Sequence, residues 1–145
     1  MSDKLIDGKL VSKEIREIIR SKAAKIKEES SRIPGLAAVL VGEDPASQIY
    51  VRNKRKACED VGIYSEEHKL AESTTQNELL ELINKLNNDK NINGILIQLP
   101  LPSHIDESLI LNSVAPDKDV DGFHPISAGY LFEGKPSFIP CTPHG

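Results

Sequence analysis

Two cysteines in 145 residues are too few for a disulfide framework. No apolar run approaches the length of a membrane span. The opening stretch, MSDKLIDGKL, lacks the apolar core of a signal peptide. A formal net charge of -4 and a pI near 5.6 argue against nucleic acid as the main partner. Neither a GxGxxG turn nor a Walker loop occurs, so no dinucleotide-binding signature is written here. His68, His104, His124 and His144 have no tight metal-ligand spacing, and no metal site is expected. Internal repeats and low-complexity stretches are also missing. What survives these exclusions is one ordinary domain with a small-molecule partner, and a reducing cytoplasm is its expected home.

What is present is a regular alternation of helix and strand. Hydrophobic residues make up 39%, enough for one core. A first helix is expected from about Asp7 or Gly8, with Val11, Ile15, Ile18, Ile19 and Ile26 at helical spacing. Pro34-Gly35 closes that segment. Leu36 to Val41 is a continuous apolar run, as a strand covered on both faces should be. A second helix runs from about Ser47 to Val61, with Gly62 as its stop. Ile63 to Leu70 is a more polar strand, suited to an edge. Thr75 and Glu78 form a capping-box signature before a third helix, and Gly94 to Gln98 is a third buried strand. Asp106 caps a shorter helix reaching Val114, and loops rich in Pro, Gly and Asp follow. Strands separated by helices require crossover connections, hence an α/β domain with a parallel sheet covered on both faces. In such sheets ligands collect beyond the carboxyl ends of the strands. GEDPASQ, LPLP and the DKDVDG loop all fall there.

The segment VGEDPASQIYVRNKRKACEDVGI reads as a strand end, a turn and a helix carrying Tyr50 and Lys54. Four residues bring a helix back to within roughly 40° of the same direction, so the two side chains share a face. A flat ring beside an ammonium suits an aromatic heterocycle that needs proton chemistry. A packed tyrosine and a solvated lysine at helical spacing are the plainer alternative.

The words PASQIYVRNKRKACEDVGI, GILIQLPLP, PDKDVDGFHP and PCTPHG stand in this order in one chain. Together they resemble the bifunctional methylenetetrahydrofolate dehydrogenase/methenyltetrahydrofolate cyclohydrolase family, from IDGK near the start to Gly145. The resemblance implies a small three-layer α/β/α domain with a mainly parallel sheet. It implies that residues 1–145 are the folate-binding catalytic domain, and that a NAD(P)-binding Rossmann domain lies outside them. The parent enzyme would oxidise 5,10-methylenetetrahydrofolate with NADP and hydrolyse the methenyl product to 10-formyltetrahydrofolate. A homodimer is implied for the full-length enzyme.

Residue by residue, the resemblance makes Lys54 the central catalytic residue and Tyr50 the ring that stacks on the folate. Stacking suits an apolar face with a polar tip. Gln98 is given a supporting catalytic and binding role, holding the lysine amine and touching the ligand. Asp121 matches the aspartate that accepts from the pterin amino group and the adjacent ring N–H, a paired contact. Asp119 is expected to make loop hydrogen bonds instead, and Gly122 to allow the close turn that presents Asp121. A lysine carries protons near neutrality only when desolvation or a neighbouring cation lowers its pKa. Lys56 points roughly 200° away from Lys54 around the helix, which leaves covering by bound substrate as the expected cause.

Cys58, one turn beyond Lys54, invites a lowered thiol pKa, yet a small packed residue is the preferred reading. Cys141 is read as cleft wall, with Thr142 and Pro143 as N-cap and first-turn residues of a further helix. Two competing functions stand beside the enzyme: a folate-binding module without turnover, and the N-terminal domain of another two-domain dehydrogenase.

Overall fold

The computed structural model describes residues 7–140. Helix α1, Gly8–Ser30, starts where the Asp7 carboxylate accepts from the Lys9 and Leu10 N–H groups. Strand β1, Gly35–Val41, leads through a short turn to α2, Pro45–Val61. Gly62 ends α2 in the left-handed conformation at φ 78°. Strand β2, Tyr64–Leu70, precedes α3, Gln76–Asn88, where both halves of the Thr75/Glu78 capping box form. Strand β3, Gly94–Ile97, is followed by α4, Glu107–Ser113, capped by Asp106, and by α5, Pro125–Phe132.

The three strands are parallel in the order β2-β1-β3, with Gly35 opposite Tyr64 and Leu36 opposite Gly94. The polar strand β2 lies at an edge, where its charged side chains discourage further pairing. The other edge is closed by the DKDVDG loop. The Ile95 N–H donates to the Lys118 carbonyl at 2.7 Å, and Ile95 bridges Asp119 in parallel. The loop therefore runs beside β3 at one isolated bridge.

Alternation along the strands sorts the core into two layers. Val39, Ile95 and Ile97 pack against Leu79 and Ile83 of α3 and Ile110 of α4. On the opposite face Ala38, Leu40 and Leu96 pack on Val51 of α2, with Leu36 and Val120 partly buried beside them.

The sequence did not say what α1 packs on, and it read the α5 segment as loop. Helix α1 rests on α2, held by Arg16 and Arg20 reaching Asp60. Ala23 is its buried residue, while Val11, Ile15, Ile18 and Ile26 remain 43–56% exposed. The helical period was legible, and part of its stripe meets α2: Val11, Ile15 and Ile19 line a groove with Ala57, Cys58 and Val61. Helix α5 is the departure, since that segment was expected as loop. His124 caps it and Pro125 opens it, while Gly129 and the short length conceal its period. The expected N-cap pair at Thr142 and Pro143, with Cys141 and His144, lies outside the described residues.

Candidate active site

The site forms where the carboxyl ends of β1 and β3 meet the start of α2. Gly42 turns out of β1 at φ 88°, and Asp44 caps α2 through a 2.7 Å bond from the Ser47 N–H. That bond holds the Asp44 carboxyl below the usual carboxylate range. Pro45 takes the first helical position, where no N–H is needed. Val51, fully buried on the sheet, sets the rotation of the helix. Tyr50 is 61% exposed on the flank of that anchor, so it is no core tyrosine. Lys54 is half-buried, one turn beyond Tyr50 and Val51. Its basic neighbours go elsewhere: Arg55 bonds Glu59 at 2.9 Å and approaches Glu67, and Lys56 is exposed.

The loop along β3 brings Asp121 to the same place. Val120 packs into the small core with Val51, and the next residue, Asp121, is half-buried within reach of the Lys54 charge. Burial pushes the Asp121 carboxyl above its ordinary range, and the nearby Asp119 adds to this, while the Lys54 ammonium opposes it. No direct ion pair joins Lys54 to Asp121 among the described residues. A carboxylate and an ammonium that attract without touching leave both groups open to a ligand. Gly122 follows at φ 69°, and a Cβ there would meet the Phe138 carbonyl at 3.0 Å and Pro140 at 3.1 Å. Both the backbone angle and the close approach call for glycine.

Gln98 lies one residue beyond β3 and continues the alternation that puts Leu96 on the α2 face. Its N–H donates to Val39 O at 2.8 Å, which pins it to β1. The side chain does not hold the lysine amine as expected. Its Nε2 donates to the Leu99 carbonyl at 2.8 Å, and Oε1 is buried without a partner. That oxygen is an acceptor in need of a donor.

Asp119 behaves unlike Asp121. It is 6% exposed and accepts from the Phe123 N–H, the His124 N–H and the Ser127 hydroxyl. Ser127 was not singled out from the sequence; its signal was the serine three residues after a helix cap at His124. Cys58 is buried, in line with the preferred reading of a small packed residue, and burial pushes its thiol up. The described histidines have local partners: His104 meets the Thr74 carbonyl, His124 accepts from Ile126, and His68 pairs with Glu66. A groove of about 920 Å³ lies at the opposite, amino-terminal end of the strands, beside Tyr64 and Asn93, and holds none of the site residues.

Residues 6–121 match the tetrahydrofolate dehydrogenase/cyclohydrolase catalytic domain. The chain belongs to that family. A relative from Moorella thermoacetica, named bifunctional protein FolD, is 54% identical over 145 residues, which is 100% of this chain and 51% of the relative. The crystal structure of the bifunctional FolD methylenetetrahydrofolate dehydrogenase/cyclohydrolase from Campylobacter jejuni is 53% identical. It superposes with a TM-score of 0.92 over 95% of this chain and 49% of its own. The FolD structure from Trypanosoma brucei, complexed with NADP cofactor and an inhibitor, is 35% identical, with a TM-score of 0.93 over 97% of this chain and 48% of its own. The chain thus spans about half the length of the tetrahydrofolate dehydrogenase/cyclohydrolase relatives it matches. Among the described residues no helix is long and apolar enough to cross a membrane.

Proposed function

We propose that this chain is the folate-binding catalytic domain of an enzyme that oxidises 5,10-methylenetetrahydrofolate and hydrolyses the methenyl product to 10-formyltetrahydrofolate. The observation that carries the proposal is the half-buried Lys54 facing Asp121 without an ion pair, at the carboxyl end of a parallel sheet, in a member of this family. Tyr50 offers an exposed ring face to the pterin. The Asp121 carboxylate accepts from the pterin amino group and ring N–H, and the unpartnered Oε1 of Gln98 accepts from a ligand donor or from the Lys54 amine.

In the hydrolytic step water adds to the carbon bridging N5 and N10. Lys54, in its neutral amine form, removes a proton from that water and becomes an ammonium. The bond from the bridge carbon to N5 then breaks, N5 takes a proton, and the formyl group stays on N10 with one proton released overall.

The turn into α2 does not fit a dinucleotide pyrophosphate. The Asp44 carboxylate already occupies that helix start, and no glycine-rich phosphate turn is present. No hydride step is therefore assigned to these residues. NADP and its Rossmann domain belong, in this proposal, to the remainder of a longer enzyme. Homodimerisation of that enzyme rests on the family resemblance alone. A cytoplasmic location rests on it and on the buried free thiol of Cys58.

The test is the loss of methenyltetrahydrofolate absorbance with the 145-residue chain and with Lys54→Ala. Turnover that disappears in the variant, with folate binding largely kept, supports the enzyme. Binding without turnover in the parent chain supports the competing reading, a folate-binding module.

A further inference from the structure

We propose that Asp119 is a positioning residue of this site: three donors lock its carboxylate beneath the loop, and it fixes both the approach and the charge environment of Asp121. The inference rests on the folate reading above for its meaning but not for its test.

The geometry is a clamp. On one side the loop is tied to β3, through Ile95 to Lys118 at 2.7 Å and the Ile95–Asp119 bridge. On the other it is tied to the start of α5. Asp119 accepts from Phe123 N–H at 3.3 Å, His124 N–H at 2.8 Å and the Ser127 hydroxyl at 2.9 Å. Ser127 is 2% exposed, so its hydroxyl has no solvent to fall back on. The carboxylate lies at the amino end of α5, where a negative charge is favoured. Asp121 sits between the two tie points, and its position follows from theirs.

The charges around Asp121 come from few elements. Lys54 of α2 faces it, and Asp119 lies below it in the same loop. Lys118 points away, its ammonium bonded to the Leu86 and Asp89 carbonyls at the end of α3. Strand β3 carries no titratable side chain, Tyr130 of α5 is exposed, and His124 donates its backbone N–H to Asp119. Asp119 is thus the near negative charge, and it works against ionisation of Asp121, in the same direction as burial. Its hydrogen bonds place the pterin acceptor, and its charge sets how far the medium can be acidified before that acceptor protonates.

The two roles separate in two variants of the 145-residue chain. Asp119→Asn removes the charge and keeps one acceptor oxygen for the His124 N–H and the Ser127 hydroxyl, losing only the longer 3.3 Å bond from Phe123. Ser127→Ala removes one tie and keeps the charge. The Asp121 carboxyl is followed directly by side-chain ¹³C NMR against pH, its signal assigned by its loss in Asp121→Asn. Asp119→Asn should move the Asp121 midpoint to lower pH, and Ser127→Ala should leave it near the parent value. An unmoved midpoint in Asp119→Asn overturns the proposal, and so does an equal fall in both variants, because that would report hydration of a loosened loop.

Binding of 5-formyltetrahydrofolate is measured in parallel. Ser127→Ala should weaken it several-fold while melting cooperatively, and unchanged affinity overturns the positioning role even if Asp119→Asn does not fold. A parent chain that bound no reduced folate would refute the functional reading and still leave the Asp121 titration to decide this one.

Discussion

The two faces of the sheet are built on different terms. Against α3 and α4 a large apolar cluster forms, with Leu79, Ile83 and Ile110 fully buried on Val39, Ile95 and Ile97. Against α2 the buried cluster is small, Ala38, Leu40 and Leu96 on Val51, and its margin is polar. Lys54, Gln98 and Asp121 stand along that margin, each half-buried. The difference shows how stability and chemistry divide in a small α/β domain. One face supplies the burial that holds the chain folded. The other is left thin enough that an ammonium, an amide and a carboxylate can be partly desolvated without being paired to one another. Half-burial is what moves the Asp121 carboxyl, and an ion pair would have used up the groups a ligand needs.

The largest effect should come from the α3 and α4 face. Ile83→Ala should cost about 2–5 kcal/mol of stability, the range for opening a cavity in a packed core. Denaturant unfolding measures it, and a loss well under about 1 kcal/mol would erase the distinction between the faces. On the thin face, Asp121→Ala should weaken folate binding by about 2–3 kcal/mol, roughly a hundredfold, with little change in unfolding. A titration matching the parent would remove Asp121 from the site.

Smaller effects sharpen the contrast. Thr75→Ala breaks the capping box of α3 and should cost about 1 kcal/mol of stability with no effect on folate. Asp121 also has a pH signature. Its folded-state carboxyl is held above the ordinary range, so its protonated form favours folding and its ionised form costs stability as pH rises through that raised value. Asp121→Asn should therefore be slightly more stable than the parent at neutral pH. The gap should close as pH falls below the ordinary aspartate range, whereas folate binding by the parent should fail on the same acidification. A gap that widened in acid would reverse the sign assigned to Asp121. Smallest of all, Lys56→Ala should alter neither turnover nor melting, because that side chain is exposed on another side of α2. Equal losses for Lys54→Ala and Lys56→Ala would mean that α2 is rotated from the arrangement described.

Much of the fold could be read from local rules. Continuous apolar runs marked β1 and β3, a polar strand marked the edge, and Thr75/Glu78 and Gly62 marked helix ends through backbone bonds made within a few residues. Helix α5 escaped because eight residues with a glycine in the middle give no clear period. The stripe on α1 shows the opposite limit. Val11, Ile15 and Ile18 predict a helix correctly, yet the period does not say which flank will meet α2.

The candidate site divides in the same way. Tyr50 and Lys54 share a face by helical geometry alone, and Gly122 announces a turn, so the sequence determined these by itself. The different fates of Asp119 and Asp121 were open to sequence only as a preference, since two aspartates in one loop are chemically alike. Tertiary structure separated them. The loop pairs with β3, which turns Asp119 toward the N–H groups at the start of α5 and carries Asp121 over the sheet to Lys54. It also tied the Gln98 Nε2 to the Leu99 carbonyl and left Oε1 without a partner. The physical reason is one of range. Caps and helix phase depend on bonds between near neighbours, whereas burial and partial charge depend on which distant segments close around a group, and only the packed chain sets that.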